Sequence, residues 1–372
     1  MVTPPLADPG VVVRFAGPRN VDVVAAEPQP CPPGHLRVRT LYSGISAGTE
    51  LTAYRGSNVY LNKRWDPVRH LFVAGEQTVT YPIVGWGYSE VGEVIEVGDG
   101  GGPSADHDTR VPAVGDVVYG IWGHRSEAVL PLAALAGQLL PQGLDPIVGV
   151  FARVGAIALN ALLAADLHVT ETVVISGQGV IGLLATRLAV LSGATVIAVD
   201  RIGDRLTMAR TFGAAHTLDA RDADVAARVR ELTGAGADVA IEISGAYPAL
   251  HEAIRSVEPG GRVVAAGFYQ GPAVGLDLGE EFHLNRVSVI ASQIGGLPTA
   301  LTGRWDKPRL HRAILELIAN GNLDVAPLVT DLIPAREADT AYRLLDEDPA
   351  AALQVVLDFR DSSPEGRSSD GV

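Results

Sequence analysis

Short runs in which apolar and polar residues alternate fill the first third of the chain. "HLRVRTLYSG" (35–44) and "EVGEVIEVG" (90–98) have a period of two and are bounded by Gly and Pro, which predicts half-buried antiparallel strands. A β-rich region is therefore expected from Val11 to Leu130. Within it, "RGSNVYLNKRWDPVRHLFVAGEQTVTYP" (55–82) sets Tyr60, Trp65 and Phe72 among basic residues and is too long for an ordinary connection. Such a segment reads either as a lid or binding element or as a surface excursion whose aromatics cover the barrel.

The pattern changes after "FARVGAIALNALLAADL", a predicted helix. "ETVVISG", "ATVIAVD", "AHTLDA", "ADVAIEIS" and "GRVVAAG" are apolar strands separated by helix-length segments, and that alternation predicts a doubly wound parallel sheet, an α/β fold. From about Thr299 other patterns return: "RLHRAILELIANGNL" has helical spacing and "ALQVVLDF" reads as a final strand. The expected organisation is one domain from 1–150 and 299–360 split around a nucleotide-type domain at 151–298. The polar run 361–372 is expected to be a disordered tail.

Composition narrows the function. Twenty-nine basic against forty-three acidic residues give a net charge of −14, which disfavours nucleic acid and anionic membranes as partners. With no uninterrupted apolar window of about twenty residues and no signal-peptide pattern at the start, a cytoplasmic location and no membrane partner are expected. The single cysteine, Cys31 in "QPCPPG", can form no thiolate cluster and reads as a small apolar filler.

The candidate chemistry begins at "VVISGQGVIGLLATRLAVLSGATVIAVD". Gly177, Gly179 and Gly182 stand in G-x-G-x-x-G spacing after a strand and before a helix, and Asp200 ends the next strand. Gly177 permits the tight turn, Gly179 lets a pyrophosphate approach the backbone, and Gly182 brings the helix against the strand. The helix start at Val180 and Ile181 offers N–H groups to the anion. Asp200 suits ribose hydroxyls and repels a 2′-phosphate, so NAD(H) is expected over NADP(H). Arg201 and Arg205 could stack on adenine or meet a phosphate.

"SGISAGTEL", "GYSEVGEV", "GFYQG", "EEFHLNRVSVIASQ" and "RWDKPRL" give the chain a resemblance to the medium-chain dehydrogenase/reductase superfamily, in the branch that contains bacteriochlorophyllide a dehydrogenase. The resemblance covers nearly all of residues 10–359. It implies a GroES-like catalytic domain split around a Rossmann domain. It also implies a nicotinamide end near Gly245, Gly267 and Phe268, with Ser292 and Gln293 near the carboxamide.

Zinc enzymes of this superfamily carry a cysteine ligand where this chain has "SAGTE" (46–50), a histidine in Gly-His-Glu where it has Gly87-Tyr88-Ser89, and a third ligand near Arg153. No zinc, catalytic or structural, is expected. Without it a proton must be moved by side chains, and Glu50, Thr49, Ser46 and Tyr88 are the catalytic candidates. For Glu50 the competing role is to hold its own turn or to pair with an arginine such as Arg153. Tyr60, Trp65, His124, Arg153 and Tyr269 are candidates for the substrate pocket, with Gln270, Glu281 and His283 behind them.

The expected activity is zinc-independent, NAD(H)-dependent interconversion of a secondary alcohol and a ketone on a small ring-bearing substrate, cyclitol-like, sugar-like or aromatic. The alternatives are hydride transfer to an activated C=C, as in zinc-free enoyl and quinone reductases, and a protein that binds NAD(H) without turnover. "RVSVIAS" would leave an exposed apolar strand edge, so a homodimer is expected.

Overall fold

A computed structural model describes residues 10–99, 110–222 and 224–362. The chain forms two compact units, unit 1 from Met1–Arg153 with Val325–Val372 and unit 2 from Val154–Asp324. In chain order unit 1 holds β1 (Gly10–Gly17), β2 (Asn20–Ala26), β3 (His35–Gly44), β4 (Lys63–Asp66), β5 (Leu71–Ala74), β6 (Ile83–Val84), β7 (Glu90–Val97), β8 (Val117–Gly120) and β9 (Glu127–Pro131). Unit 2 follows with β10 (Thr172–Ser176), β11 (Thr195–Asp200), β12 (His216–Asp219), β13 (Ala237–Glu242), β14 (Val257–Ala265) and β15 (Ser288–Ala291). The chain returns to unit 1 for β16 (Val329–Pro334) and β17 (Gln354–Asp358).

Unit 1 is the expected β-rich domain. One sheet runs β2-β1-β6 and a second runs β16-β17-β3-β7-β8, with β9 also on β3. The ten residues of β3 change partners along their length. Residues 35–39 pair β9 and Tyr42–Gly44 pair β17, while β7 follows the other edge. The period-two pattern of "HLRVRTLYSG" accounts for its packing, because Leu36 and Val38 face inward and are fully buried with Val94 and Val118.

A second core joins the two sequence halves of unit 1. Tyr342, from the helix Ala338–Glu347, stacks on Tyr54 and meets Phe15 edge-on at 4.9 Å. Burying each such ring contributes about 1.5–3 kcal/mol, which ties the returning segment to the first.

The segment 55–82 contains the hairpin β4–β5. Leu61, Val79 and Tyr81 anchor it on the core, whereas Trp65 and Phe72 pack on each other with ring centroids 5.0 Å apart. Those two rings stay partly exposed and do not cover the barrel.

Unit 2 carries a six-stranded parallel sheet in the order β12-β11-β10-β13-β14-β15. Its inner strands read as continuous apolar runs because helices bury both faces, and Val173–Ile175 and Val239–Ile241 are all at 0–1% exposure. The strand β10 lies between β11 and β13, so the order reverses at its carboxyl end. That reversal is where an open α/β sheet binds ligands.

One expectation needs correcting. The inserted domain ends near Asp324, not 298. The helix Lys307–Ala319 packs within unit 2, where Ile314 lies so close to Gly155 that an added Cβ would come within 2.6 Å of it. Helical spacing shows that a helix forms and leaves open which core it covers. In addition, Pro146–Ala165 is long and apolar enough to cross a membrane and is mostly buried inside the protein, as a core helix is. The tail expected at 361–372 falls, after its first two residues, outside the described residues.

Candidate active site

In unit 1 the turn after β3 and the turn before β7 are drawn together by backbone bonds. Gly44 N donates to Ser89 O at 2.8 Å and Ile45 N to Val355 O at 3.0 Å. This places Ser46 beside Tyr88, and their hydroxyls hydrogen-bond. Arg153 lies over the Tyr88 ring, its guanidinium carbon 5.3 Å from the centroid. Ser46, Thr49, Tyr88 and Arg153 are all half-buried. They form a polar patch built from three segments far apart in sequence.

Beneath that patch runs a fully buried chain of polar groups. Glu50 Oε2 accepts from Tyr342 OH at 2.6 Å and pairs with His124 Nε2 at 2.8 Å, while its Oε1 accepts from Ser46 N at 2.9 Å. His124 Nδ1 meets Ser43 Oγ at 2.6 Å, and that hydroxyl donates to Glu90 Oε1 at 3.1 Å. Glu90 also accepts from Trp122 N at 2.8 Å and Ser89 N at 3.2 Å. Gly87 has φ +135°, and a Cβ there would strike the His124 ring at 2.8 Å; only glycine leaves the imidazole this space.

These positions shift proton affinity in definite directions. Burial works against the His124 imidazolium, but Glu50, as charge and hydrogen-bond partner, and then Glu90 outweigh it and hold His124 above its ordinary value. Burial raises Glu90, and His124 and two backbone donors only partly oppose it. Tyr342 is raised well above the usual phenol range by burial and by the Glu50 carboxylate. Burial also raises Tyr88, while hydrogen bonds from Ser46 and Thr49 and the charge of Arg153 pull it back.

The expected role of His124 as a pocket-lining residue is therefore corrected. Its side chain is fully buried with both ring nitrogens engaged. Glu50 is likewise fully buried and takes three donors, which makes it the anchor of its own turn; it is not joined to Arg153 in an ion pair among the described residues. Tyr60 and Trp65 lie in the segment of the β4–β5 hairpin, each in ring contact with Phe72. Cys31 is a free, partly exposed thiol.

In unit 2 the glycine turn has the tight geometry its spacing predicts. Gly177 has φ +92°, Gly179 caps the helix Val180–Leu191, and a Cβ on Gly182 would sit 1.7 Å from Gly177 O. Val180 and Ile181 form the first helical turn, whose leading N–H groups have no intrahelical acceptor. A Cβ on Gly179 would meet only Arg205 Nη1, at 3.9 Å. The space above Gly179 thus lies open next to a guanidinium.

Asp200 Oδ2 accepts from Gln178 N at 2.5 Å and Oδ1 from Ile202 N at 2.9 Å. Two of roughly four acceptor sites are used, leaving capacity for further donors. Arg201 is exposed beside it.

Farther along the sheet edge, Gly245 has φ +74° and Gly267 approaches so closely that a Cβ would lie 2.3 Å from Gly245 N. Phe268 is partly exposed, Ser292 N donates to Ala265 O, and the Ser292 hydroxyl accepts from Asn160 Nδ2 at 3.3 Å. Gln293 folds onto Gly295 N.

Tyr269 donates to Glu242, whose carboxylate also takes Ser244 N at 2.7 Å and Gly245 N at 3.1 Å. Burial raises Glu242, and burial with the Glu242 charge raises Tyr269. Tyr269 is thus committed to shaping the turn at Gly245. Glu242, Glu90, Ser43 and Tyr342 were missed in the sequence, since each lies in an apolar run or far from its partner. "GYSEVGEV" held one signal, an acid at the buried phase of a strand.

Known proteins resemble this one along nearly all of its length. A family profile described as "Zinc-binding dehydrogenase" matches residues 180–307. D-guloside 3-dehydrogenase of Escherichia coli (strain K12) is 28% identical over 351 residues, covering 92% of this chain and 98% of that protein. Sorbitol dehydrogenase of Halalkalibacterium halodurans is 26% identical over 360 residues, covering 90% and 94%. Among solved structures, alcohol dehydrogenase TADH from Thermus sp. ATN1 aligns with a TM-score of 0.73 at 25% identity, covering 94% of this chain and 99% of that one. In its split β-rich unit, its six-stranded parallel sheet and these matches, the chain is similar to dehydrogenases of the medium-chain dehydrogenase/reductase superfamily.

Proposed function

We propose that the protein is a zinc-independent, NAD(H)-dependent oxidoreductase of the zinc-free branch that interconverts a secondary alcohol and a ketone on a polyol-like or sugar-like ring substrate. The observation that carries this reading is the donor set at Ser46, Tyr88 and Arg153. By the resemblance, Ser46 and Tyr88 stand at the positions of two zinc ligands of those enzymes and Arg153 near that of the third, and here a hydroxyl, a phenol and a guanidinium lie together. His124 beneath them has one ring nitrogen on Glu50 and the other on Ser43, so neither is open to a metal. This set does not fit zinc.

It does fit a substrate oxygen. Hydride chemistry at a carbinol carbon needs a group that takes the hydroxyl proton on oxidation and returns it on reduction. The Ser46–Tyr88 pair is half-buried and polar, and Glu50 and Glu90 fix the backbone on either side of it. A nicotinamide bound to unit 2 supplies the hydride acceptor or donor. The glycine turn with the start of the helix Val180–Leu191 would hold its pyrophosphate, and Asp200 would hold the adenosine ribose and disfavour a 2′-phosphate. The names of the guloside and sorbitol relatives support a polyol or sugar substrate.

The test is a turnover screen with NAD+ and NADP+ against sugars, cyclitols and polyols, and with NADH against ketones and conjugated enones, alongside zinc analysis of the pure protein. The expected result is secondary-alcohol oxidation that prefers NAD+ and survives chelators. A tightly bound zinc in each chain, a clear preference for NADP+, or NADH oxidation by enones alone would each defeat the reading.

The protein is further proposed to be a homodimer. The strand β15 is the edge of the unit 2 sheet, with Val289 at 40% and Ile290 at 36% exposure, and an apolar edge of this kind invites pairing with a second copy. Light scattering should give twice the chain mass for the wild type, and Ile290→Lys should give a monomer; a monomeric wild type would refute it.

A further inference from the structure

We propose that Arg153 is a positioning residue that acts through Tyr88, its guanidinium supplying the fixed positive charge that lets the Tyr88 phenol exchange a proton with the substrate oxygen. This rests on the alcohol–ketone reading above. Three observations on the molecule carry it. The guanidinium stacks over the phenol ring at 5.3 Å, within range of a cation–π attraction that strengthens as the ring becomes anionic. Arg153 Nε is buried and has no hydrogen-bond partner among the described residues, and no carboxylate there forms an ion pair with it, so its charge is not already neutralised. The Tyr88 hydroxyl bonds the Ser46 hydroxyl, which can donate to a phenolate as readily as it accepts from a phenol.

Each group then has a defined task. On reduction of a ketone, the hydride and its electron pair reach the carbonyl carbon, the C=O π pair moves to oxygen, and that oxygen takes the Tyr88 proton. The phenolate left behind sits near the buried Glu50 carboxylate, which opposes it, and Arg153 with the Ser46 and Thr49 hydroxyls offsets the opposition. On oxidation the phenolate receives the hydroxyl proton and releases it to solvent, while the hydride leaves with the electrons of the C–H bond. The electrostatic part of what a metal does for an alkoxide is thereby moved onto a cation held by the protein one group away.

The sign of the pH dependence follows. Reduction needs the neutral phenol and should fall as pH rises through its ionisation; oxidation needs the phenolate and should rise over the same range. Removing Arg153 destabilises the phenolate, so in Arg153→Gln both limbs should move to higher pH by about 1–2 pH units, the effect expected when one opposite charge within a few ångströms is lost. Arg153→Lys should recover part of that displacement.

The experiment measures pH–rate profiles of the full-length wild type, Arg153→Gln, Arg153→Lys and Tyr88→Phe. It also measures the ultraviolet phenolate titration of Tyr88, isolated as the difference between each protein and the same protein carrying Tyr88→Phe. The expected result is a loss of about 10²–10⁴ in kcat for Tyr88→Phe, together with a matching upward displacement of both the kinetic limb and the phenolate titration in Arg153→Gln. Thermal melting of each variant separates these effects from misfolding. An unmoved Tyr88 titration in Arg153→Gln, or Tyr88→Phe with full activity, would overturn the inference. If the wild type turns over no alcohol or ketone, the functional reading fails, and the phenolate titration still decides whether Arg153 controls Tyr88.

Discussion

Replacing His124 by Asn should destabilise the protein by about 3–5 kcal/mol, the usual cost of breaking a buried, hydrogen-bonded charge pair while leaving one partner in place. The imidazole bridges Glu50 and, through Ser43, Glu90, and all four side chains are fully buried. Asn is too short to reach both, so two carboxylates would be left facing each other without the cation between them. The loss should also be pH-dependent. His124, Glu90 and Tyr342 are each raised above their ordinary values, so the folded state binds more protons than the unfolded one. Stability from His124 is then complete below its ordinary value near 6.5 and declines as pH rises through its folded-state value, and Glu90 and Tyr342 act in the same sense. Urea unfolding between about pH 6 and pH 9 checks this. The wild type should lose stability with rising pH and His124→Asn should show a flatter dependence; equal slopes would mean that the imidazolium is not the group responsible.

The second large effect is expected at Gly182. A Cβ there would stand 1.7 Å from Gly177 O, a backbone atom that cannot turn aside. Gly182→Ala must therefore push the helix Val180–Leu191 off β10, at a cost of about 1–3 kcal/mol from overpacking. It would also displace the N–H groups proposed to receive the pyrophosphate, so NADH affinity should fall at least about tenfold, equivalent to about 1.4 kcal/mol. Gly179→Ala is the informative companion. Its Cβ would touch only Arg205 Nη1 at 3.9 Å, so the fold should keep its melting temperature while NADH binding weakens. Fluorescence titration with NADH and thermal melting separate the two, and a Gly182→Ala protein that binds and melts like the wild type would show that this turn is not the phosphate site.

Much of unit 2 was legible because its signals are local. The glycine spacing, the strand before it and the acid after it fall within 28 residues of one another, and Gly177 and Gly182 have steric reasons visible in the structure. The half-buried strands of unit 1 followed from their period of two. The upper boundary of the inserted unit was misplaced because helical spacing in 307–319 reports an apolar face without naming the surface that covers it.

The chain by itself determined where strands and helices form and where the glycine turn lies, since those depend on neighbours along the backbone. By the resemblance, Ser46 and Tyr88 stand at two of the expected metal-ligand positions and Arg153 near the third. Only the tertiary structure decided what those residues and Glu50 touch. Glu50 reaches His124 across 74 positions and Tyr342 across 292. Contacts at such separation leave no periodic trace in sequence, because hydrogen bonding and burial depend on proximity in space. Glu50 is thereby removed from the accessible patch and becomes its foundation, while Tyr88 and Arg153 remain at its surface.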